Sequence, residues 1–124
     1  MHSQDALVER WDQVFTALSS DVRRTLLLSL ADVPPDRRVL LPEAAASSLV
    51  ATDREALTVE LRQHHLPLLA DCGYVEWTSE PFRAARGEAF EDVAVILETL
   101  LASASALPDE LVMGCGRLEE RRNG

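Results

Sequence analysis

No lysine occurs anywhere in this chain of 124 residues. All 12 basic side chains are arginine, set against 21 aspartates and glutamates, for a formal net charge of −9. A GC-rich genome would favour arginine and alanine, yet it leaves the carboxylate excess unexplained. Excess carboxylate without lysine fits a cytosol at molar salt, where the Debye length falls to ~3 Å and surface repulsion is screened. Aromatic residues make up only 5%, so the core is built from Leu, Val and Ala, which favours helix-on-helix packing over a sandwich or barrel. Apolar stretches nowhere approach the roughly 18 to 20 residues of a membrane span. Met1 to Asp12 carries Asp5, Glu9 and Asp12 and lacks the apolar centre of a secretory leader, so the expected location is cytoplasmic, with no membrane partner. Two cysteines, Cys72 and Cys115, make no metal motif and are expected to stay reduced inside a cell. There is no glycine-rich phosphate loop and no nucleophile with a sequence-signalled base, so neither an enzyme nor a cofactor is expected.

What is present reads as one globular domain over 1–106, with a core at about 14–86, followed by a flexible tail over 107–124. From Asp5 to Leu18, Leu7, Trp11, Val14, Phe15 and Leu18 recur at helical spacing. Ser19 and Ser20 offer an N-cap to a second helix over Asp21 to Ala31, with Val22, Leu26, Leu27 and Leu30 inward and Arg23 and Arg24 outward. Pro34 and Pro35 stop it. Val39 to Leu41 suits a short extended stretch, and Glu43 to Val50 a short alanine-rich helix after Pro42. Thr52 to Glu55 has the form of a capping box. The long helix that follows, from about Asp53 to Asp71, is expected to bend in its last turn at Pro67 and to end at Gly73. Tyr74 to Thr78 alternates like a strand, Ser79-Glu80-Pro81 turns, and Phe82 to Arg86 can return beside it. A last helix covers Glu88 to Ala106, and Pro108 ends it.

The predicted fold class is therefore mainly α with a small β-hairpin. Three helices followed by a short hairpin form a winged helix-turn-helix, here with extra N- and C-terminal helices. In that layout the third core helix enters the DNA major groove.

Two segments carry a family resemblance. His65-Leu66, Leu69, Cys72-Gly73 and Tyr74-Val75 resemble the end of the recognition helix and the start of the wing in ArsR-type regulators. Leu18-Ser19-Ser20-Asp21-Val22-Arg23-Arg24 resembles the same family's opening. The His65-Leu66-Pro67-Leu68-Leu69-Ala70-Asp71-Cys72-Gly73 form is closer to small haloarchaeal winged-helix domains, which are presumed regulators. The resemblance spans roughly Ala6 to Trp77. It departs from the family in a short wing whose basic residues are Arg83 and Arg86, and in the small, alanine-rich second helix of the motif.

This layout implies a homodimeric regulator of double-stranded DNA. Arg54, Thr58, Arg62, Gln63 and His64 are the candidate contacts on the long helix, since Arg reads guanine and Gln reads adenine. Arg83 and Arg86 are the candidate phosphate contacts on the wing. Dimerisation is assigned to a C-terminal stripe of Phe90, Val93, Leu97, Leu100 and Leu101. His64 and His65 point about 100° apart on a helix and cannot chelate one ion. His65 is expected to be buried or half-buried with a satisfied hydrogen bond, Cys72 to pack in the core, and Cys115, between Gly114 and Gly116, to be exposed in the tail. The alternative function is a winged-helix protein-interaction module that does not bind DNA. An arginine patch on the long helix favours the first, dispersed carboxylates the second.

Overall fold

The computed structural model describes residues 4–47 and 53–113. Helix α1 (Gln4–Leu18) leads into α2 (Asp21–Ala31), then strand β1 (Val39–Leu40) and a 3-10 turn at Glu43–Ala45. Helix α3 (Arg54–Glu60), a π-helical turn at Leu61–His65 and helix α4 (Leu66–Asp71) run on as one rod. Strands β2 (Val75–Thr78) and β3 (Arg83–Arg86) form the hairpin, and α5 (Phe90–Ala102), a 3-10 turn at Ala104–Ala106 and α6 (Asp109–Met113) complete the order. The sheet is antiparallel in the order β1-β3-β2, with Val75 opposite Arg86 and Val39 opposite Ala84. A mainly helical domain with a small hairpin wing is thus the observed architecture.

The core is aliphatic, as the scarcity of aromatics requires: Leu26, Leu27 and Leu30 of α2 meet Leu57, Leu61, Leu66 and Leu69 of the long rod. Two caps set the geometry. Ser20 is the N-cap of α2, its hydroxyl accepting from the Arg23 N–H. Gly73 (φ 80°) closes α4: its N–H reaches the Ala70 carbonyl while that of Tyr74 reaches Leu69, both at 3.0 Å. This paired closure needs a left-handed residue, and glycine supplies it without a Cβ penalty. Gly87 crosses the same spot so closely that a Cβ there would stand 2.3 Å from the Gly73 carbonyl oxygen.

Several expectations are corrected. On α1 only Val14 and Ala17 are buried; Leu7, Trp11 and Phe15 face outward. Arg23 is buried, at 5% exposure, rather than outward. The alanine-rich helix is reduced to the 3-10 turn, since Ala46 has already left helical geometry, and 48–50 lie outside the described residues. The cap of α3 is Asp53, accepting from the Ala56 N–H; Thr52 lies outside the described residues. Pro67 disturbs the rod upstream of its own position. Its ring would strike the Gln63 carbonyl of a regular helix, and the turn Leu61–His65 widens so that the Leu66 N–H reaches Leu61. Within the expected tail, Asp109–Met113 is helical.

Candidate nucleic-acid interface

The α3–α4 rod and the hairpin lie side by side and share one exposed face, but its arginines are largely committed. Arg62 leaves the π turn and donates to the Ser79 hydroxyl and, at 3.4 Å, to the Ser79 carbonyl. Its guanidinium also sits 4.2 Å over the Phe82 ring. Arg62 therefore staples helix to wing and has little freedom to reach a base edge. Arg54 pairs with Glu43 of the 3-10 turn, a contact exposed on both sides and weak in water. The Glu43 carboxyl is depressed first by the residue's own backbone N–H and then by this pair. Thr58 turns its hydroxyl back to the Arg54 carbonyl. Gln63 and Arg83 are exposed and make no side-chain bond to other described residues. His64 is exposed on one side, with Nε2 3.4 Å from Arg23.

Arg86 is a correction. Its guanidinium faces inward and donates to the carbonyls of Leu30 (3.1 Å), Ala31 (3.4 Å) and Val33 (2.8 Å). These groups include carbonyls that α2 leaves without helical partners, so Arg86 caps α2 from the sheet and is withdrawn from the phosphate set. Glu55 and Glu60 are exposed on the same helix as Arg54 and Gln63. Arg37 and Arg38, in the loop before β1, are exposed.

The assigned dimer stripe is also divided by the structure. Phe90 (2% exposed), Val93 (0%) and Leu97 (5%) belong to the chain's own core, and Leu101 packs partly against it. Leu100 remains outward, together with Val95, which the sequence reading left out. Val95 extends an apolar surface begun on α1, where Trp11 and Phe15 stack at 5.8 Å and are 53% and 63% exposed. Between α1 and α5 runs a groove of about 550 Å³ lined by Leu7, Trp11, Val14, Val95 and Ile96, with the Arg10–Asp92 ion pair on its polar side.

The group missed by sequence reasoning is the buried Arg23–His65 pair. Arg23 Nη1 lies 2.9 Å from His65 Nδ1, and its other nitrogens donate to the carbonyls of Ala17 and Thr16 and to the Ser19 hydroxyl. A signal was present: Arg23 precedes Leu26, Leu27 and Leu30 by three, four and seven residues, which puts it on the inward stripe. Burial and the adjacent Arg23 charge hold the His65 imidazole below its usual range, with His64 adding to the effect and Glu60 opposing it. Burial pushes the Cys72 thiol up, which suits packing rather than reactivity; Cys115 lies outside the described residues. Among the described residues no cluster of three or more His, Cys, Asp or Glu could hold a metal, and no helix is long and apolar enough to cross a membrane.

Comparison with family models, curated proteins and solved structures finds no match. The winged-helix architecture thus rests on element order and sheet topology, and function must be argued from the site.

Proposed function

We propose that this chain is a cytoplasmic, homodimeric winged-helix regulator that binds double-stranded DNA, related to the ArsR-like and haloarchaeal domains it resembles. The observation that carries the reading is the Arg62 staple. It fixes an exposed helix and a hairpin wing in one orientation, which is what simultaneous docking in a major groove and along its flank demands. On that face Gln63 and Thr58 are the candidates for base edges and Arg83, Arg54 and the Arg37–Arg38 loop for phosphates. Arg62 acts by positioning. A second copy covers the α1–α5 groove, with the Trp11–Phe15 pair of each chain seated in the groove of the other. Knob and hollow lie side by side on one surface, the arrangement a two-fold axis makes self-complementary.

A second reading is favoured by one observation. Glu55 and Glu60 share the exposed face, and most of the nearby arginines are engaged within the chain. That suits a module that docks a partner protein.

Binding of labelled chromosomal DNA fragments at molar KCl separates the two. The regulator reading expects fragment-selective binding that Gln63→Ala weakens by about 1–3 kcal/mol at one base position, while Arg83→Ala weakens all fragments alike and lowers the salt slope by about one. A folded dimer that binds no fragment would favour the interaction module.

A further inference from the structure

A buried polar knot ties the recognition rod to α1 and α2. Arg23 on α2 holds the last turn of α1 by the Thr16 and Ala17 carbonyls and the Ser19 hydroxyl, and extends its remaining nitrogen to His65 on the π turn. The neighbours of His65 in sequence are the outward Arg62, Gln63 and His64. The anchor and the candidate DNA contacts thus share one helical turn.

Arginine can only donate. His65 Nδ1 must therefore be the acceptor, and the neutral ring carries its proton on Nε2, which faces the Glu60 carboxylate at 3.9 Å. The charged and titratable groups around the ring are Arg23 from α2, with Arg24 behind it, Glu60 and His64 from the rod, and Cys72 at the far end of α4, which acts on Arg23. From α1 only neutral carbonyls and a hydroxyl enter the knot.

We propose that Arg23 and His65 form a proton-operated latch that sets the recognition rod on the core, so that acidification releases the rod and weakens DNA binding. A solvent proton taken up at Nδ1 turns the acceptor into a donor facing the guanidinium, and the Arg23–His65 bond is lost. The imidazolium is drawn instead toward Glu60, on the rod itself. Arg23 keeps its acceptors on α1, so the short bond between the rod and the two helices beneath it parts, and only the longer 3.4 Å approach of Arg23 to His64 Nε2 remains. Burial and the Arg23 charge both resist this protonation, which places the event on the acid side of the ordinary histidine range. Glu60 sits on the rod itself, so its attraction for the imidazolium does not strengthen the anchor to α2.

The sign of the effect makes the latch testable. Protonating histidines adds positive charge and ordinarily strengthens binding to a polyanion; here binding weakens. The inference rests on the DNA-binding reading for its functional consequence, and on the ring itself for its mechanism, so two measurements on the full-length chain are needed. In the first, imidazole and backbone signals are followed by NMR from about pH 8 to about pH 5. His65 titrates on the acid side of the ordinary histidine value of about 6.5, and the amides of 61–66 move with His65. In the second, affinity for DNA fragments is measured over the same range for the wild type and for His65→Asn, whose side-chain oxygen still accepts from Arg23 but cannot titrate. Wild-type affinity falls by about tenfold for each unit separating the His65 pKa on and off DNA, and the variant shows no fall. A His65 ring that titrates at or above the ordinary histidine value of about 6.5, amides that ignore it, or an unchanged fall in His65→Asn each overturn the latch. If the variant fails to fold, the wild-type titration decides alone. A chain that binds no fragment at any pH defeats the regulator reading, while the NMR titration still decides the latch.

Discussion

An arginine carries five donors in a rigid fork, and a buried one must find acceptors for most of them. Buried Arg23 and half-buried Arg86 both do so on backbone carbonyls, at the ends of α1 and α2 respectively. Each therefore ties two elements together in a way that lysine, with a single ammonium, could not reproduce. Arg86→Ala leaves the carbonyls of Leu30, Ala31 and Val33 without this partner and is expected to cost about 1–3 kcal/mol in denaturant unfolding. Arg83→Ala, three strand positions away and exposed, should leave stability within about 0.5 kcal/mol. His65 adds a pH term. Because the folded chain holds its pKa below the unfolded value near 6.5, the unfolded state binds the proton more readily. The stabilisation is complete above that value and is lost as pH falls through the folded pKa. Thermal unfolding scanned from neutral to mildly acidic pH should show this loss, and His65→Asn should flatten it.

At the scale of elements, what could be read in advance followed local rules. Ser20 before α2 and Gly73 after α4 are caps whose chemistry acts within one turn, and the alternation of Val75 to Thr78 specifies a strand by itself. Features set by partners distant in the chain could not be read that way. The α5 helix is apolar on most of its circumference, so periodicity could not decide whether Phe90, Val93 and Leu97 or Val95 and Leu100 faced the core. Arg62 looked like a groove contact because its partners, Ser79 and Phe82, lie across the hairpin. The bend expected at Pro67 appears at Leu61–His65 because proline acts on the carbonyl four residues before it. Gly87 had no signal at all: its need for a missing side chain arises where the start of α5 crosses the end of α4. Gly87→Ala drives a Cβ into the backbone of Gly73 and Val75, and is expected to destabilise by about 1–3 kcal/mol or more in chemical denaturation.

For the molecule as a whole, charge and apolar surface pull in opposite directions. A net charge of −9 on 124 residues opposes both compaction and self-association, whereas the Trp11–Phe15 pair and the α1–α5 groove favour association. Salt decides the balance by screening the first and leaving the second intact. Sedimentation in molar KCl is expected to report a dimer, with Trp11→Ala shifted toward monomer at unchanged helix content. Dialysis to low salt should lower the melting temperature of both. Retained dimerisation in Trp11→Ala would move the interface elsewhere, and a melting temperature indifferent to salt would remove the halophile reading.

The crossing of Gly73 and Gly87 also bears on how such a chain can change over generations. At the root of the hairpin two stretches of backbone touch, with the Gly87 N–H on the Tyr74 carbonyl at 2.9 Å and the Ala89 N–H on the Gly73 carbonyl at 2.8 Å. An inserted residue there would have to part both. At the exposed tip, Glu80 and Pro81 lie beyond the Ser79 anchor of Arg62 and away from that crossing. Length variation among descendants should therefore collect at the tip, letting the wing lengthen or shorten over a fixed base while the two glycines stay in place.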